Sequence, residues 1–159
     1  MKNFKLNEKD ILSNQDWTFP TTTYYGPGRF NEIAKFCEEF DIKNPLIVTD
    51  SGSKDLPFIK KLIALLSKNN IKSDLFYNIS PNPRDDEISK GCDQFKNGSH
   101  DSIIAIGGGS AMDGGKSICL TVNSETPLWD FEFEQPVPKI TKENAFPKII
   151  TVPTTAGTG

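Results

Sequence analysis

The chain has 159 residues, with 18 basic and 21 acidic side chains and a formal net charge of −3. This length is typical of one domain, and the mixing of both charges argues against a basic face for nucleic acid. No apolar run approaches the ~20 residues of a membrane span, and the polar start lacks the pattern of a signal peptide, so we expect a cytoplasmic protein that binds neither nucleic acid nor membrane.

The first predicted elements are a strand and a helix. Residues 1–16 are polar and are predicted to be a lead-in segment. Residues 17–25 are rich in aromatic and β-branched side chains, which indicates a strand, and Pro20 favours a position at the sheet edge. A helix is predicted from Arg29, after a Gly-Pro-Gly turn. Its buried face is expected to carry Ile33, Phe36, Cys37 and Phe40.

Asp50 stands at the carboxyl end of the next predicted strand, whose apolar part is residues 46–48. Ligands in open α/β sheets bind at the carboxyl ends of the strands. A carboxylate in this place could accept hydrogen bonds from ribose hydroxyls and would repel a 2′-phosphate. An aspartate that caps the following turn, residues 51–53, is the alternative interpretation.

Strands and helices continue to alternate through the middle of the chain. A helix from Pro57 is predicted to bury Phe58, Leu62, Leu65 and Leu66. Residues 74–79 are a predicted strand, and a rigid loop with two prolines, residues 80–83, leads to a helix from Asp85. That helix is expected to bury Ile88, Cys92 and Phe95. His100 is expected in a surface or strand-capping role at the amino end of the next strand, because no second metal ligand is nearby.

Residues 103–106 are a charge-free run that is typical of a strand buried on both faces of a parallel sheet. Three glycines follow, and Ser110 is predicted as the N-cap of the next helix, with Asp113 at the capping-box position. The inner face of this helix is expected to carry Met112, Gly115 and Cys119. The free N–H groups and the helix dipole favour an anion, such as a phosphate, at the helix start. A tight connection without a ligand is the alternative.

The last part of the chain is predicted to return to the sheet. Residues 128–133 are expected to form a short helical turn that buries its aromatic side chains, and a polar loop follows over residues 134–147. Residues 148–153 are a further predicted strand, and the small residues after it, 154–159, suit close approach of the backbone to a ligand. The cysteines lack metal-ligand spacing and are expected to be buried free thiols: Cys37, Cys92 and Cys119.

Two motifs resemble the signatures of the iron-containing (group III) alcohol dehydrogenases. They are GGGSAMDGGK at residues 107–116 and VPTTAGTG at residues 152–159. Three supporting stretches occur in the same order as in that family: TFPTTTYYGPGR, LIVTDSG and PNP. The resemblance implies an α/β fold with a mainly parallel, Rossmann-like sheet, helices on both faces and an amino-terminal edge strand. It assigns residues 17–159 to a dinucleotide-binding domain, with the family's helical metal-binding domain absent from the chain.

The resemblance also implies cofactor-binding residues for NAD, with NADP as the alternative. Asp50 would hold the adenosine ribose and favour NAD, and Asn82 would lie along the cofactor groove. Asp113 would lie beside the nicotinamide half, and helix capping remains its alternative role. For Lys116 the alternative is exposure on a solvated helix face. The pyrophosphate would be cradled by Gly108, Gly109 and Ser110. The adenine and the cofactor's ribose and phosphate would be contacted by Thr154, Thr155 and Thr158.

The activity that the resemblance implies is that of an NAD(P)-dependent alcohol dehydrogenase, an oxidoreductase that interconverts an alcohol and an aldehyde or ketone by hydride transfer. In that family an aspartate and histidines of the helical domain hold the metal, Fe²⁺ or Zn²⁺, which polarises the alcohol oxygen. Because that domain is not in the chain, no residue is predicted to be catalytic or to bind metal, and the chain alone is expected to be inactive. A small alcohol or aldehyde substrate and a homo-oligomer are expected for the full-length protein. A non-catalytic nucleotide-binding fragment that acts with a partner chain is the alternative.

Overall fold

A four-stranded parallel sheet is the centre of the computed structural model, whose described residues are 21–132, 136, 138, 141–142 and 145–156. The strands lie in the order β2–β1–β3–β4. Their bounds are β1 Pro45–Asp50, β2 Asp74–Ile79, β3 Ser102–Gly107 and β4 Lys148–Pro153. The α-helices are α1 Ile33–Glu39, α2 Pro57–Lys68, α3 Asp85–Asn97 and α4 Gly109–Thr121. Short 3-10 helices occur at Arg29–Glu32 and Leu128–Phe131.

The helices cover both faces of the sheet, which confirms the predicted α/β architecture. Helices α1 and α2 pack their apolar side chains on one face, and α3 and α4 pack theirs on the other. The central strands β1 and β3 are therefore buried on both sides, which explains their continuous apolar runs. Among the described residues, none of the helices is both long and apolar enough to cross a membrane.

The predicted amino-terminal edge strand is not found in the described residues, and residues 21–25 have no regular secondary structure. Residues 17–20 lie outside the described part of the chain. Tyr24 instead stacks on Phe36 of α1, with ring centroids 4.2 Å apart. The guanidinium of Arg29 lies 5.3 Å from the centroid of each ring. Tyr24 thus packs on a helix rather than on the sheet, and the described edges of the sheet are β2 and β4.

Two predicted positions near the amino ends of the strands are also corrected. Phe40 ends α1 as its C-cap and is 38% exposed, because the chain leaves the helix before that side chain can turn inward. His100 is buried rather than at the surface. Its Nδ1 lies 2.9 Å from the carbonyl oxygen of Asn44, and its Nε2 lies 3.3 Å from Oδ2 of Asp74. The imidazole therefore lies at the amino end of β3, between the residue before β1 and the first residue of β2, which agrees with the strand-capping alternative.

The aromatic turn after α4 is more open than predicted. Trp129 is 71% exposed, and its Nε1 donates a hydrogen bond of 3.2 Å to Asp85 at the start of α3. Phe133 lies outside the described residues. The cysteines are free, as predicted, and Cys37 and Cys119 are buried while Cys92 is half-buried. Burial raises the pKa of the Cys37 and Cys119 thiols to about 11.

Helix α4 lies close to the sheet because two of its glycines face strands. A Cβ added to Gly115 would lie 2.5 Å from the Cβ of Ala105 on β3. A Cβ added to Gly114 would lie 2.7 Å from Cδ1 of Ile79 on β2. Contacts this short leave no room for even a methyl group, so the two glycines set the height of α4 above the sheet.

We expect Gly115→Ala to lower the free energy of unfolding by up to about 2 kcal/mol. Overpacking against the fixed Cβ of Ala105 costs about 1–3 kcal/mol, and the better helix propensity of alanine returns at most about 1 kcal/mol. The measurement is urea unfolding followed by circular dichroism. Gly109→Ala on the same helix is the matched control, because nothing lies within 4 Å of its added Cβ. Equal stability of the two variants would contradict the packing argument.

Candidate functional site

The carboxyl ends of the four parallel strands meet at one edge of the sheet. The chain passes from β1 to β2 on one side and then crosses to β3 on the other side of β1. The connections therefore leave β1 and β3 in opposite directions. In sheets of this kind a crevice forms between the two strands, outside their carboxyl ends, and ligands bind there. The residues that line this edge are the candidate site.

The crevice opens where β1 and β3 separate. The ladder between the two strands ends at Val48 and Ala105, while Asp50 pairs with β2 instead. One residue beyond the ladder, the buried hydroxyl of Thr49 donates a hydrogen bond of 2.7 Å to the carbonyl of Ile106. A side chain thus satisfies a buried carbonyl that the separating strands no longer pair.

Gly107 makes the turn at the end of β3 with a φ of 146°, a conformation that favours glycine. A Cβ at this position would lie 2.6 Å from the Cβ of Ala111 and 3.2 Å from Oδ2 of Asp50. The missing side chain therefore lets the carboxylate of Asp50 approach the glycine turn. The structure brings together the two features that the sequence analysis placed on separate strands.

Helix α4 begins at Gly109 with Gly108 as its N-cap, two residues before the predicted cap Ser110. Gly107 completes the turn alone, so the extended Gly108 can already start the helix. The first helical hydrogen bond runs from Met112 N to Gly108 O, at 3.1 Å. The first turn of α4 has no acidic side chain and no side-chain cap. Its leading N–H groups face the crevice and suit an anion.

Ser110 and Asp113 have other roles than capping in this structure. The Ser110 hydroxyl donates a hydrogen bond of 2.6 Å to the carbonyl of Pro81, in the loop after β2. Asp113 lies in the second turn of α4 and is exposed, so the capping-box interpretation of Asp113 is wrong. Lys116 is exposed, which agrees with a solvated helix face.

The residues after β4 lie against the glycine turn. Thr154 N donates a hydrogen bond of 2.8 Å to the carbonyl of Gly107. Cγ2 of Thr155 lies 3.5 Å from the position of a Cβ on Gly108. Both threonines are exposed at the edge of the crevice. Thr158, the third predicted threonine, lies outside the described residues.

Asn82 is exposed in the loop between β2 and α3, and its carbonyl accepts a hydrogen bond of 2.8 Å from the hydroxyl of Ser80. The bond between Ser110 and Pro81 ties this loop to the start of α4. The structure therefore groups these predicted residues around one crevice: Asp50, Asn82, Gly108, Gly109, Ser110, Thr154 and Thr155. Asp113 lies one helical turn beyond them.

Two buried polar residues at this edge were not singled out by the sequence analysis. Thr49 precedes Asp50 and joins β1 to β3, as described above. Glu87 lies in the first turn of α3 and accepts hydrogen bonds from Ser80 and Arg84. The spacing of a capping box was present for Glu87, but Arg84 is not a residue type that marks an N-cap.

A cavity of about 490 Å³ lies at the opposite edge of the sheet. It is lined by residues near the ends of α1 and α2, among them Asp41, Lys43 and Asn70. Basic, acidic and amide side chains are mixed there, without a converging set of donors. The glycine turn and the carboxyl ends of the strands are not part of this cavity. We therefore place the candidate site at the crevice and not at the cavity.

Comparison with known proteins identifies a family for most of the chain. A family model described as iron-containing alcohol dehydrogenase matches residues 20–159. The 1,3-propanediol dehydrogenase of Klebsiella pneumoniae is 30% identical over 145 residues, which cover 90% of this chain and 36% of that protein. The choline dehydrogenase of Bacillus subtilis is 31% identical over 97% of this chain and 38% of that protein. The chain thus spans little more than a third of the length of these curated relatives.

Solved structures agree with this result. The crystal structure of a 1,3-propanediol oxidoreductase superposes with a TM-score of 0.79 and 29% identity, over 90% of this chain and 36% of that chain. A sulfoacetaldehyde reductase from Bifidobacterium kashiwanohense, solved in complex with NAD⁺, gives a TM-score of 0.77 and 27% identity, over 92% and 37% of the two chains.

We expect Thr49→Val to lower the free energy of unfolding by about 1–3 kcal/mol, because it leaves the buried carbonyl of Ile106 without its partner. Valine has nearly the shape of threonine, so lost packing contributes little. Thr49→Ser keeps the hydroxyl and is expected to lose less stability than the valine variant. Urea unfolding of the three proteins checks this order, and a valine variant as stable as the parent would contradict it.

Proposed function

The chain belongs to the iron-containing alcohol dehydrogenase family, and from that premise we propose that it binds NAD at the crevice between β1 and β3. The observation that carries the proposal is the meeting of Asp50 with the glycine turn at the start of α4. The adenosine diphosphate half of the cofactor would occupy this place. The NAD⁺ complex of the sulfoacetaldehyde reductase supports this choice of cofactor.

The pyrophosphate would lie at the start of α4. Gly109 leaves open space where a side chain would otherwise project, and the first turn carries no acidic residue that would compete with the ligand. The N–H groups of Gly109 and Ser110 would donate to phosphate oxygens, supported by the positive end of the helix dipole. Gly108, extended before the helix, would let the backbone approach the ligand closely.

Asp50 would accept hydrogen bonds from the adenosine ribose. Its Oδ1 accepts the N–H of Gly52 at 3.0 Å, which fixes the carboxylate, and its Oδ2 faces the position of the missing Cβ of Gly107. The turn-capping interpretation and the ligand-binding hypothesis are therefore compatible, since each uses a different oxygen. A fixed negative charge here would repel the 2′-phosphate of NADP and so favour NAD.

The other predicted contacts complete the proposed site. Asn82 would lie along the cofactor groove, and Asp113, one turn beyond the pyrophosphate, would lie beside the nicotinamide half. Thr154 and Thr155 would contact the adenine and the cofactor's ribose and phosphate, and we assign the same role to Thr158. Each of these roles follows the family resemblance, and those of Asn82, Thr154 and Thr155 also follow the position of the residue at the carboxyl edge of the sheet.

We propose that the reaction of the full-length protein interconverts an alcohol and an aldehyde or ketone. Bound NAD supplies the hydride chemistry, while the protein positions the ring. The described residues do not fit the metal that the family's name implies, since they contain no cluster of three or more His, Cys, Asp or Glu side chains. A site for Fe²⁺ or Zn²⁺ would need ligands from outside the described residues. We also propose that the full-length protein is cytoplasmic and forms a homo-oligomer.

A second candidate is a nucleotide-binding module that acts only with a partner chain, because Asp50 and the glycine turn need no metal to bind a nucleotide. Both candidates use the same crevice. For both, we expect the purified 159-residue chain to produce no reduced nicotinamide from short alcohols, NAD and added Fe²⁺ or Zn²⁺. Absorbance of the reduced cofactor is the readout. Turnover that survives repurification would refute this expectation and would show that the chain supplies its own catalytic groups.

We expect Gly109→Ala to weaken binding of ADP-ribose about tenfold or more, because the added methyl group would occupy the proposed pyrophosphate position. Isothermal titration calorimetry on the folded chain measures this effect. Adenosine, which lacks the phosphates, is the control ligand, and its affinity should change much less. If the substitution weakened both ligands equally, the pyrophosphate would not lie at the start of α4.

We expect Asp50→Asn to weaken NAD binding by about 10–100-fold, since a hydrogen bond to a charged group contributes about 1.5–3 kcal/mol. NADP binding should stay equal or improve, because the repelling charge is gone. Asparagine keeps an oxygen for the N–H of Gly52, so the turn is preserved. Asp55→Asn is the control, because it removes the same negative charge from an exposed side chain of the same turn region. An unchanged ratio of the NAD and NADP dissociation constants would mean that Asp50 only caps the turn.

A further inference from the structure

We propose that Glu87 is a positioning residue for the cofactor: its buried carboxylate holds the loop of residues 80–84 against the start of α4. This inference rests on the proposed NAD site and adds a residue that does not itself line the crevice. Glu87 lies in the first turn of α3, behind the loop that carries Asn82. Two sets of hydrogen bonds hold this loop, one at each of its sides.

One oxygen of Glu87 ties both ends of the loop. Its Oε2 accepts the N–H of Ser80 at 3.2 Å and the N–H of Arg84 at 3.1 Å. It also lies 3.0 Å from the hydroxyl of Ser80, whose one proton it shares with the carbonyl of Asn82. Glu87 is only 7% exposed. Burial raises the pKa of Glu87, but these hydrogen bonds and the charge of Arg84 together outweigh it, so that the pKa lies below its ordinary value. The carboxylate is therefore ionised at neutral pH, and its hydrogen bonds are charge-assisted.

The other side of the loop is tied to α4. The hydroxyl of Ser110 donates to the carbonyl of Pro81 at 2.6 Å. Because its single proton is used in this bond, Ser110 would present its backbone N–H to a phosphate as the donor. The position of Pro81 and Asn82 above the proposed pyrophosphate site is thus set by Glu87 from behind and by Ser110 from the front.

The same arrangement makes the starts of α3 and α4 different. In α3 the first turn contains Asp85, Asp86 and Glu87, so its own carboxylates occupy the end of the helix. In α4 the first turn has no acid and no side-chain cap. The two helix starts are joined through the loop, and only α4 offers free N–H groups to an anion. The acidic side chains of α3 therefore disfavour an anion at its start, while Glu87 holds the loop beside α4.

Glu87→Gln keeps the size of the side chain and an acceptor oxygen but removes the charge. Without this charge, the loop should spend part of its time away from α4. Binding of ADP-ribose must then order the loop again, and this cost lowers the affinity. We expect the affinity for ADP-ribose to fall about 3–10-fold. Asp86→Asn is the matched control, because it removes a charge from the same turn of α3 at an exposed side chain that pairs with Arg84 and Lys90. This control should leave the affinity unchanged.

The test is calorimetric titration of the 159-residue chain with ADP-ribose in parent, Glu87→Gln, Ser110→Ala and double variants. If Glu87 acts through the loop, its substitution should have little further effect once Ser110→Ala has released Pro81. A general loss of stability would instead lower the affinity equally in both backgrounds. Circular dichroism checks that each variant is folded. If Glu87→Gln does not fold, Ser80→Ala takes its place, since it removes only the hydroxyl. This variant should weaken binding of ADP-ribose about twofold, and an unchanged affinity would overturn the positioning role.

The outcomes separate this inference from the proposed function. Binding by the parent with an unchanged affinity in Glu87→Gln, or equal losses in both backgrounds, would overturn the positioning role and leave the NAD site intact. No binding by the folded parent would overturn the proposed function, and the positioning role with it. A loss specific to Glu87→Gln that disappears in the Ser110→Ala background is the result that we expect.

Discussion

The close approach of Asp50 to Gly107 is the constraint on which the candidate site depends. Parallel pairing brings the ends of β1 and β3 to the same edge, but the two strands separate before they end. In the gap, Thr49 satisfies the carbonyl of Ile106, and Gly107 turns with a positive φ that leaves space for the carboxylate. Any side chain at Gly107 would push apart Asp50 and the start of α4.

The height of α4 above the sheet is the second condition for this geometry. Gly114 and Gly115 allow the helix to lie almost directly on β2 and β3, which aims its first turn at the crevice. The open start of α4 then stands between Asp50 and the residues that follow β4. Fold and candidate site are therefore linked through packing, since the two glycines that face the sheet determine where the leading N–H groups of α4 lie.

The order of strands and helices could be predicted because each buried element leaves a periodic apolar pattern in the sequence, as residues 103–106 do. The glycine turn and the position of Asp50 at the end of its strand could be predicted because strand ends and turns leave a local pattern in the sequence. The start of α4 was missed by two residues because the φ of Gly107 decides it. The burial of His100 and the packing of Tyr24 on α1 depend on partners far away in the chain, which no local pattern records.

An amide-resolved NMR titration of the chain with NAD would locate the cofactor on the sheet. We predict that the largest chemical-shift changes occur at the amides of Gly109 and Ser110 and beside Asp50, while the amides at the start of α3 change little. Changes confined to the cavity at the opposite edge of the sheet, near Asp41 and Asn70, would contradict it.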